Sequence, residues 1–167
     1  MKLIATLVLL LFATTHSWAN DRAIRAMSKG NLGYSEKEIR SEIEKGCDGT
    51  GDMALCAWYG YYKKDVALND TYRELMRRLV NSDVKDALRK SQRAWLEFRD
   101  AQCVFSSGDW EGGSFRRVAI ATCWTGMTEV REKEFSDILK CNADEGPCFQ
   151  LQDSPPLGDS FQETPLT

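Results

Sequence analysis

Apolar positions recur at helical spacing through most of the chain, and four helices can be read from them in order. Ser35-Glu36-Lys37-Glu38 has the form of a capping box, with Ile39 and Ile43 following on one face, and it predicts a short helix that ends at Gly46. The run CDGTGD from Cys47 breaks it, because glycine and aspartate at that density favour turns. Asp52 can cap a second helix whose stripe passes through Leu55, Tyr59, Tyr62, Val66, Asn69, Tyr72, Met76 and Leu79 in steps of three and four. Asn69 interrupts that stripe with an amide that must find hydrogen-bond partners, and it reads as a register-fixing residue.

After the polar break Asn81-Ser82-Asp83, a third helix begins near Val84 and ends at about Cys103 or Val104. Its stripe is Leu88, Ser91, Trp95, Phe98 and Gln102, flanked by Ala87, Ala94 and Ala101, which are small enough to let another helix approach. This is the expected central helix, folded back antiparallel on its predecessor. Ser106 to Ser114 is the longest break, with three glycines and Trp110. Ser114 is a candidate cap for a fourth helix, whose apolar face takes in Phe115, Val118, Ala119, Thr122, Met127, Val130, Phe135, Ile138 and Leu139, with Gly126 as its weak point. No repeat and no strand-like alternation competes, so the fold class is all-α: an antiparallel bundle of three principal helices with a short helix in front.

The ends of the chain lack this pattern. Met1-Lys2, an apolar run from Leu3 to Ala13 and Ser17-Trp18-Ala19 read as a secretory signal cut before Asn20. The apolar run falls short of the ~20 residues that a bilayer requires, and no cysteine stands at the cleavage point, so a soluble product without a lipid anchor is expected. Residues 20–34 are polar and read as a lead-in with at most a helical turn. Beyond Lys140 the sequence turns through Cys141 to Cys148, and a polar, proline-bearing tail from Phe149 to Thr167 is expected to be disordered. The expected division is therefore a signal at 1–19, a lead-in at 20–34, a helical domain at 35–140, and a turn with its tail at 141–167.

Charge and cysteine content narrow the function classes. With Lys2 and the only histidine, His16, removed by signal cleavage, 21 basic residues face 25 acidic ones, a balance of −4. That field disfavours nucleic acid and favours cationic partners. Six cysteines, at 47, 56, 103, 123, 141 and 148, in an exported chain point to disulfides. Many pairings are possible, and the preferred one joins neighbours along the chain: Cys47–Cys56, Cys103–Cys123 and Cys141–Cys148. A zinc site is the competing reading, but the chain has no C-x-x-C pair and no mature histidine. The same lack removes Ser-His-Asp and Cys-His nucleophiles, and the glycines match no phosphate loop, so neither an enzyme nor a cofactor is expected. Glu97 and Asp100 could in principle serve as a glycosidase pair, yet that spacing is common on solvated helix faces.

Gln92-Arg93-Ala94-Trp95, then Phe98-Arg99-Asp100 and Cys103, resemble the Q-R-x-W…R-D…C signature of the lysozyme-inhibitor LprI-like family of small secreted bacterial domains. Asp65, Leu68, Asn69 and Tyr72 resemble its D-x-x-L-N-x-x-Y element. Gly112-Gly113-Ser114, Cys123, Thr128 and Arg131 fall where the family has G-G-S/T, a cysteine and T-x-x-R, so the resemblance runs from about Cys47 to Phe135. It implies a protein in the periplasm or outside the cell that blocks a muramidase by covering or entering its cleft. The alternative is an envelope interaction or immunity-type module that binds another protein. Of the motif residues, Asp65, Asn69, Tyr72, Gln92, Trp95, Arg99 and Arg131 read as mainly structural, with Trp95 and Phe98 in the core. Arg99 is expected to pair with Asp65 or another carboxylate of the neighbouring helix, with partner binding as its second reading. Trp110, between Asp109 and Glu111, is the candidate anchor for a partner.

Overall fold

The computed structural model describes residues 20–47, 52–108, 112–113, 115–141, 148–149 and 151–152. The signal, the Trp110 trio, Ser114, most of the 141–148 turn and the tail beyond residue 152 lie outside the described residues. Within them, residues 20–29 are helical (α1), followed by α2 (Glu36–Glu44), α3 (Met53–Arg78), α4 (Ser82–Ser106) and α5 (Arg116–Leu139). The fold is an all-α, disulfide-bonded bundle of three long helices with shorter ones in front.

Local chemistry sets the helix starts. Glu38 N–H donates to Ser35 Oγ while Ser35 N–H donates to Glu38 Oε2, which closes the capping box of α2. Asp52 accepts from the amides of Ala54 and Leu55, and Asn81 accepts from those of Asp83 and Val84, satisfying donors that have no partner within their own helices. The disulfides join Cys47 to Cys56, Cys103 to Cys123 and Cys141 to Cys148. The first ties the end of α2 to α3, and the second staples α4 to α5.

Two expectations for the chain ends are corrected. The lead-in is a helix with a buried face: Ala23, Ile24 and Met27 enter the core, and Arg22 donates twice to the Asp70 carboxylate of α3 at 2.7 Å. A Cβ on Gly30 would lie 2.2 Å from the Tyr62 hydroxyl, so a larger residue where α1 meets α3 would require that tyrosine to shift. Three apolar residues in a polar segment give too weak a stripe to read, because such a short helix draws its stability from packing. At the other end, the start of the expected tail is docked. Leu151 bridges to Leu79, Gln152 N–H and Nε2 donate to the carbonyls of Arg78 and Arg77, and Arg78 Nε donates to Gln152 O. These contacts satisfy carbonyls left open at the end of α3.

The helix order also differs from expectation. α3 is the principal packing element, lying along α5 and against α2, whereas α4 makes its close contact with α5 rather than with α3. Small residues on α5, Ala121 and Thr128 among them, are fully buried and permit the close approach to α3. On α4, Arg99 meets the bulky rings of Tyr61 on α3 and Trp124 on α5 instead, which holds its axis further off from α3. Ala87, Ala94 and Ala101 are exposed, as is Phe98 at 57%. The inward line of α4 is Leu88, Gln92, Trp95, Arg99 and Cys103, one step round from the apolar stripe. On α5, likewise, Thr122 and Val130 face outward, and Ala121, Trp124, Thr128 and Phe135 face in.

The core forms two clusters along the bundle. One gathers Met27, Ile39, Leu55, Trp58, Tyr59, Tyr61 and Ala121, with Trp124 packed on it. The other gathers Leu68, Tyr72, Leu75, Leu79 and Phe135, with Leu88, Trp95 and Leu151 packed on it. Between them in the helix order stand Asp65 and Asn69 of α3, Arg99 of α4, and Thr128 and Arg131 of α5.

Candidate functional site

That intermediate layer holds the chain's most distinctive chemistry. Arg99 on α4 is 4% exposed. Its guanidinium carbon lies 4.5 Å from the Trp124 ring centroid and 5.4 Å from those of Tyr61 and Trp95. Three aromatic faces thus surround one cation in a desolvated setting, where such contacts are strongest. Nη1 donates to the Tyr61 hydroxyl at 3.3 Å, and Nε donates to its own neighbour, Asp100, at 2.9 Å. Tyr61 passes the polarity on by donating to Asp65 Oδ1 at 3.3 Å. Asn69 Nδ2 donates to the other Asp65 oxygen and to the Asp65 carbonyl, at 3.1 and 2.9 Å. Arg99 therefore meets Asp65 through a tyrosine, where a direct ion pair was expected.

A second arginine continues the array. Arg131 on α5 donates from Nε to Gln92 Oε1 at 3.1 Å, from Nη2 to Ser91 Oγ at 2.9 Å and from Nη1 to Glu134 at 2.8 Å. It lies over Phe135 at 4.5 Å and over Trp95 at 5.8 Å, and Phe135 in turn packs on Tyr72 at 6.0 Å. Trp95 consequently sits between two guanidinium groups. Asp65, Asn69, Tyr72, Gln92, Trp95, Arg99 and Arg131, far apart in sequence, form one connected path across three helices.

Burial pushes the Asp65 carboxyl above its usual range, against the pull of Arg99 and the hydrogen bonds from Tyr61 and Asn69. Burial, and then the charge of Asp65, likewise raises the Tyr61 phenol. An acid whose folded pKa exceeds its unfolded one gives stability that is complete below the ordinary aspartate range and lost as pH rises through the folded value. Asp70 has the opposite sign. Burial disfavours its charge, but Arg22 and then Arg73 outweigh that and hold it low, so its stabilisation is lost on acidification. A carboxyl-carbon NMR titration should therefore place Asp65 above Asp70, and the reverse order would show that Asp65 is solvated or directly paired.

This layer is built to hold helices together. Asp65, Tyr61, Asn69, Gln92 and the two arginines turn their donors and acceptors on one another, Thr128 Oγ1 and Trp124 Nε1 are buried without a partner among the described residues, and Arg99, the second-choice partner residue, is enclosed by rings. Glu97 is exposed, and Asp100 accepts from Arg99 Nε at 2.9 Å. No group of three or more metal-ligating side chains occurs among the described residues. An open groove of about 560 Å³ beside α2 is lined by Tyr34, Glu38, Glu42 and Asp52, among others. Its polar groups also bond to each other, with Tyr34 donating to Asp52 at 3.0 Å and the Asp52 amide to Glu42 at 2.7 Å. Asp109, Trp110 and Glu111 lie outside the described residues.

Sequence reading missed Tyr61 and Trp124, the two rings that complete the cage around Arg99. The signal for Tyr61 was present. Trp58, Tyr61, Asp65, Leu68, Tyr72, Leu75 and Leu79 recur in alternating steps of three and four, a second stripe beside the first, and most of its side chains are buried.

The described residues contain no helix long and apolar enough to cross a membrane. No solved structure matches the chain. An uncharacterized protein of Rhizobium meliloti (strain 1021) is 29% identical to it over 101 residues, covering 53% of this chain and 73% of that protein. The family model described as Lysozyme inhibitor LprI matches residues 43–135, a span that starts within α2, takes in all of α3 and α4 and stops at Phe135 on α5. It encloses every residue of the polar path, and the chain belongs to the lysozyme inhibitor LprI family.

Proposed function

We propose that the chain is an exported, non-catalytic binding protein that blocks a muramidase through direct protein contact. The family match over residues 43–135 carries this reading. The acidic balance of the chain supports it, since a negative body speeds encounter with cationic muramidases. The buried layer serves as scaffold, and the contact surface includes the loop that carries Asp109, Trp110 and Glu111. Trp110 is the apolar anchor and the two acids its rim.

Titrating the oxidised protein against a muramidase acting on a cell-wall suspension tests the reading, with slowed lysis as the expected result. Trp110→Ala should weaken inhibition by about 2 kcal/mol, the scale of an interface hot spot, and leave the melting temperature unchanged. Exchanging Asp109 and Glu111 for their amides should slow association most at low salt, because rim charges act mainly by steering. If Trp110→Ala instead lowers melting while each folded molecule inhibits as before, the indole packs against the bundle. A chain that slows no muramidase but captures another envelope protein is the interaction module of the alternative reading.

A further inference from the structure

The outward face of α4 is apolar where a solvated helix should be polar. Phe98 and Phe105 are 57% and 80% exposed, and Ala87, Ala94 and Ala101 are exposed beside them. Ala87, Ala94 and Ala101 stand seven residues apart, and so do Ser91, Phe98 and Phe105, with intervals of four and three between the two rows. That is the repeat by which one helix packs along another. Nothing in the described bundle covers it. Lys90 and Glu97, also seven apart, border the alanine row, and neither has an ion-pair partner among the described residues. Some exposed charges on the helices are neutralised within a turn, as in Arg77–Glu74, Arg89–Asp86 and Lys133–Asp137.

We propose that this face pairs with the same face of a second copy, the two α4 helices running antiparallel about a two-fold axis at Ala94. The axis sets Ala94 against its own equivalent and Ala87 against the second copy's Ala101. Lys90 then comes level, within one residue, with the second copy's Glu97, and symmetry makes that pair twice. Phe98 comes level, within one residue, with the second copy's Ser91, so a large side chain meets a small one on each side of the axis. Both signs of charge are thus matched by the helix itself, as an isologous interface requires.

The face is modest. From Ala87 to Phe105 it runs roughly 27 Å and is about 10 Å wide, well under the ~800 Å² that each partner brings to a standard interface. The dimer is accordingly weak and reversible. It is independent of muramidase binding, and the two can be tested apart.

Analytical ultracentrifugation of the full oxidised chain, from low micromolar to millimolar concentration, reads the association directly. The expected result is a monomer–dimer equilibrium that Ala94→Arg abolishes without changing the melting temperature, since position 94 is exposed. Lys90→Glu and Glu97→Lys should each weaken the dimer about tenfold by setting like charges together, and the double exchange should restore it. Monomers at every concentration would overturn the proposal. So would a dimer indifferent to Ala94→Arg, or single exchanges that the double exchange fails to rescue. Monomers whose muramidase inhibition falls on Ala94→Arg would overturn it as well, and would assign the face to a different protein.

Discussion

Arg99→Ala is expected to destabilise the fold by about 3–5 kcal/mol, the range for removing one member of a buried, charge-coupled set. The side chain is 5% exposed, and its removal leaves space between Trp124, Tyr61 and Trp95. It also takes away the cation that offsets Asp65, whose carboxyl is already disfavoured by burial. Arg99→Lys should recover less than half of the loss, because an ammonium cannot lie flat against three rings or keep the guanidinium's spacing to both Tyr61 and Asp100. Pairing Arg99→Met with Asp65→Leu tests whether the charges matter to each other. The double variant should be more stable than the sum of the single losses implies, since charges removed together leave no uncompensated partner. Urea denaturation monitored by circular dichroism supplies the numbers. An Arg99→Ala chain that unfolds like the parent yet no longer inhibits would make the guanidinium a contact residue.

The parts of this fold visible in the sequence are those determined within a few residues. Ser35 with Glu38, and Asp52, act at the helix starts, where short polar side chains meet open amides, and no distant residue can alter that logic, whereas the cap Asn81 was read only as part of a polar break. The bond from Cys103 to Cys123 joins cysteines on consecutive long helices, near the ends that their connecting loop brings together. What the pattern hid was the rotation of α4 and α5. A stripe is found by following apolar residues, and the inward line of α4 includes Gln92 and Arg99, whose polar groups are satisfied by Arg131, Tyr61 and the half-exposed Asp100. The apolar residues displaced from that line, Phe98 among them, face solvent. α1 and the Leu151–Gln152 clasp were hidden for a related reason, since each is stabilised by contacts with α3 more than 30 residues away in sequence. Among the site residues, the motif positions of α3 and α4 could be named from sequence. Their convergence could not, because it depends on Tyr61 and Trp124, which belong to no motif that was read.

Trp95→Ala is expected to cost about 4 kcal/mol, although the indole is only half-buried. Deleting a large aromatic from a packed core costs roughly 3–5 kcal/mol, and partial exposure alone would place Trp95 at the low end. Its position between Arg99 and Arg131 raises the figure, since both guanidinium groups lose an aromatic face at once and each such contact is worth about 0.5–2 kcal/mol. Trp95→Phe separates the two contributions, because phenylalanine fills most of the space but offers a weaker face to a cation, and it should recover more than half of the loss. Melting and inhibition measured on the same samples decide the residue's role. A Trp95→Ala chain should lose stability while each molecule that remains folded inhibits as before, the reverse of what is expected for Trp110→Ala. If Trp95→Ala melted with the parent, neither arginine would be drawing stability from the ring, and the aromatic–guanidinium path would be a consequence of how the helices pack instead of a cause.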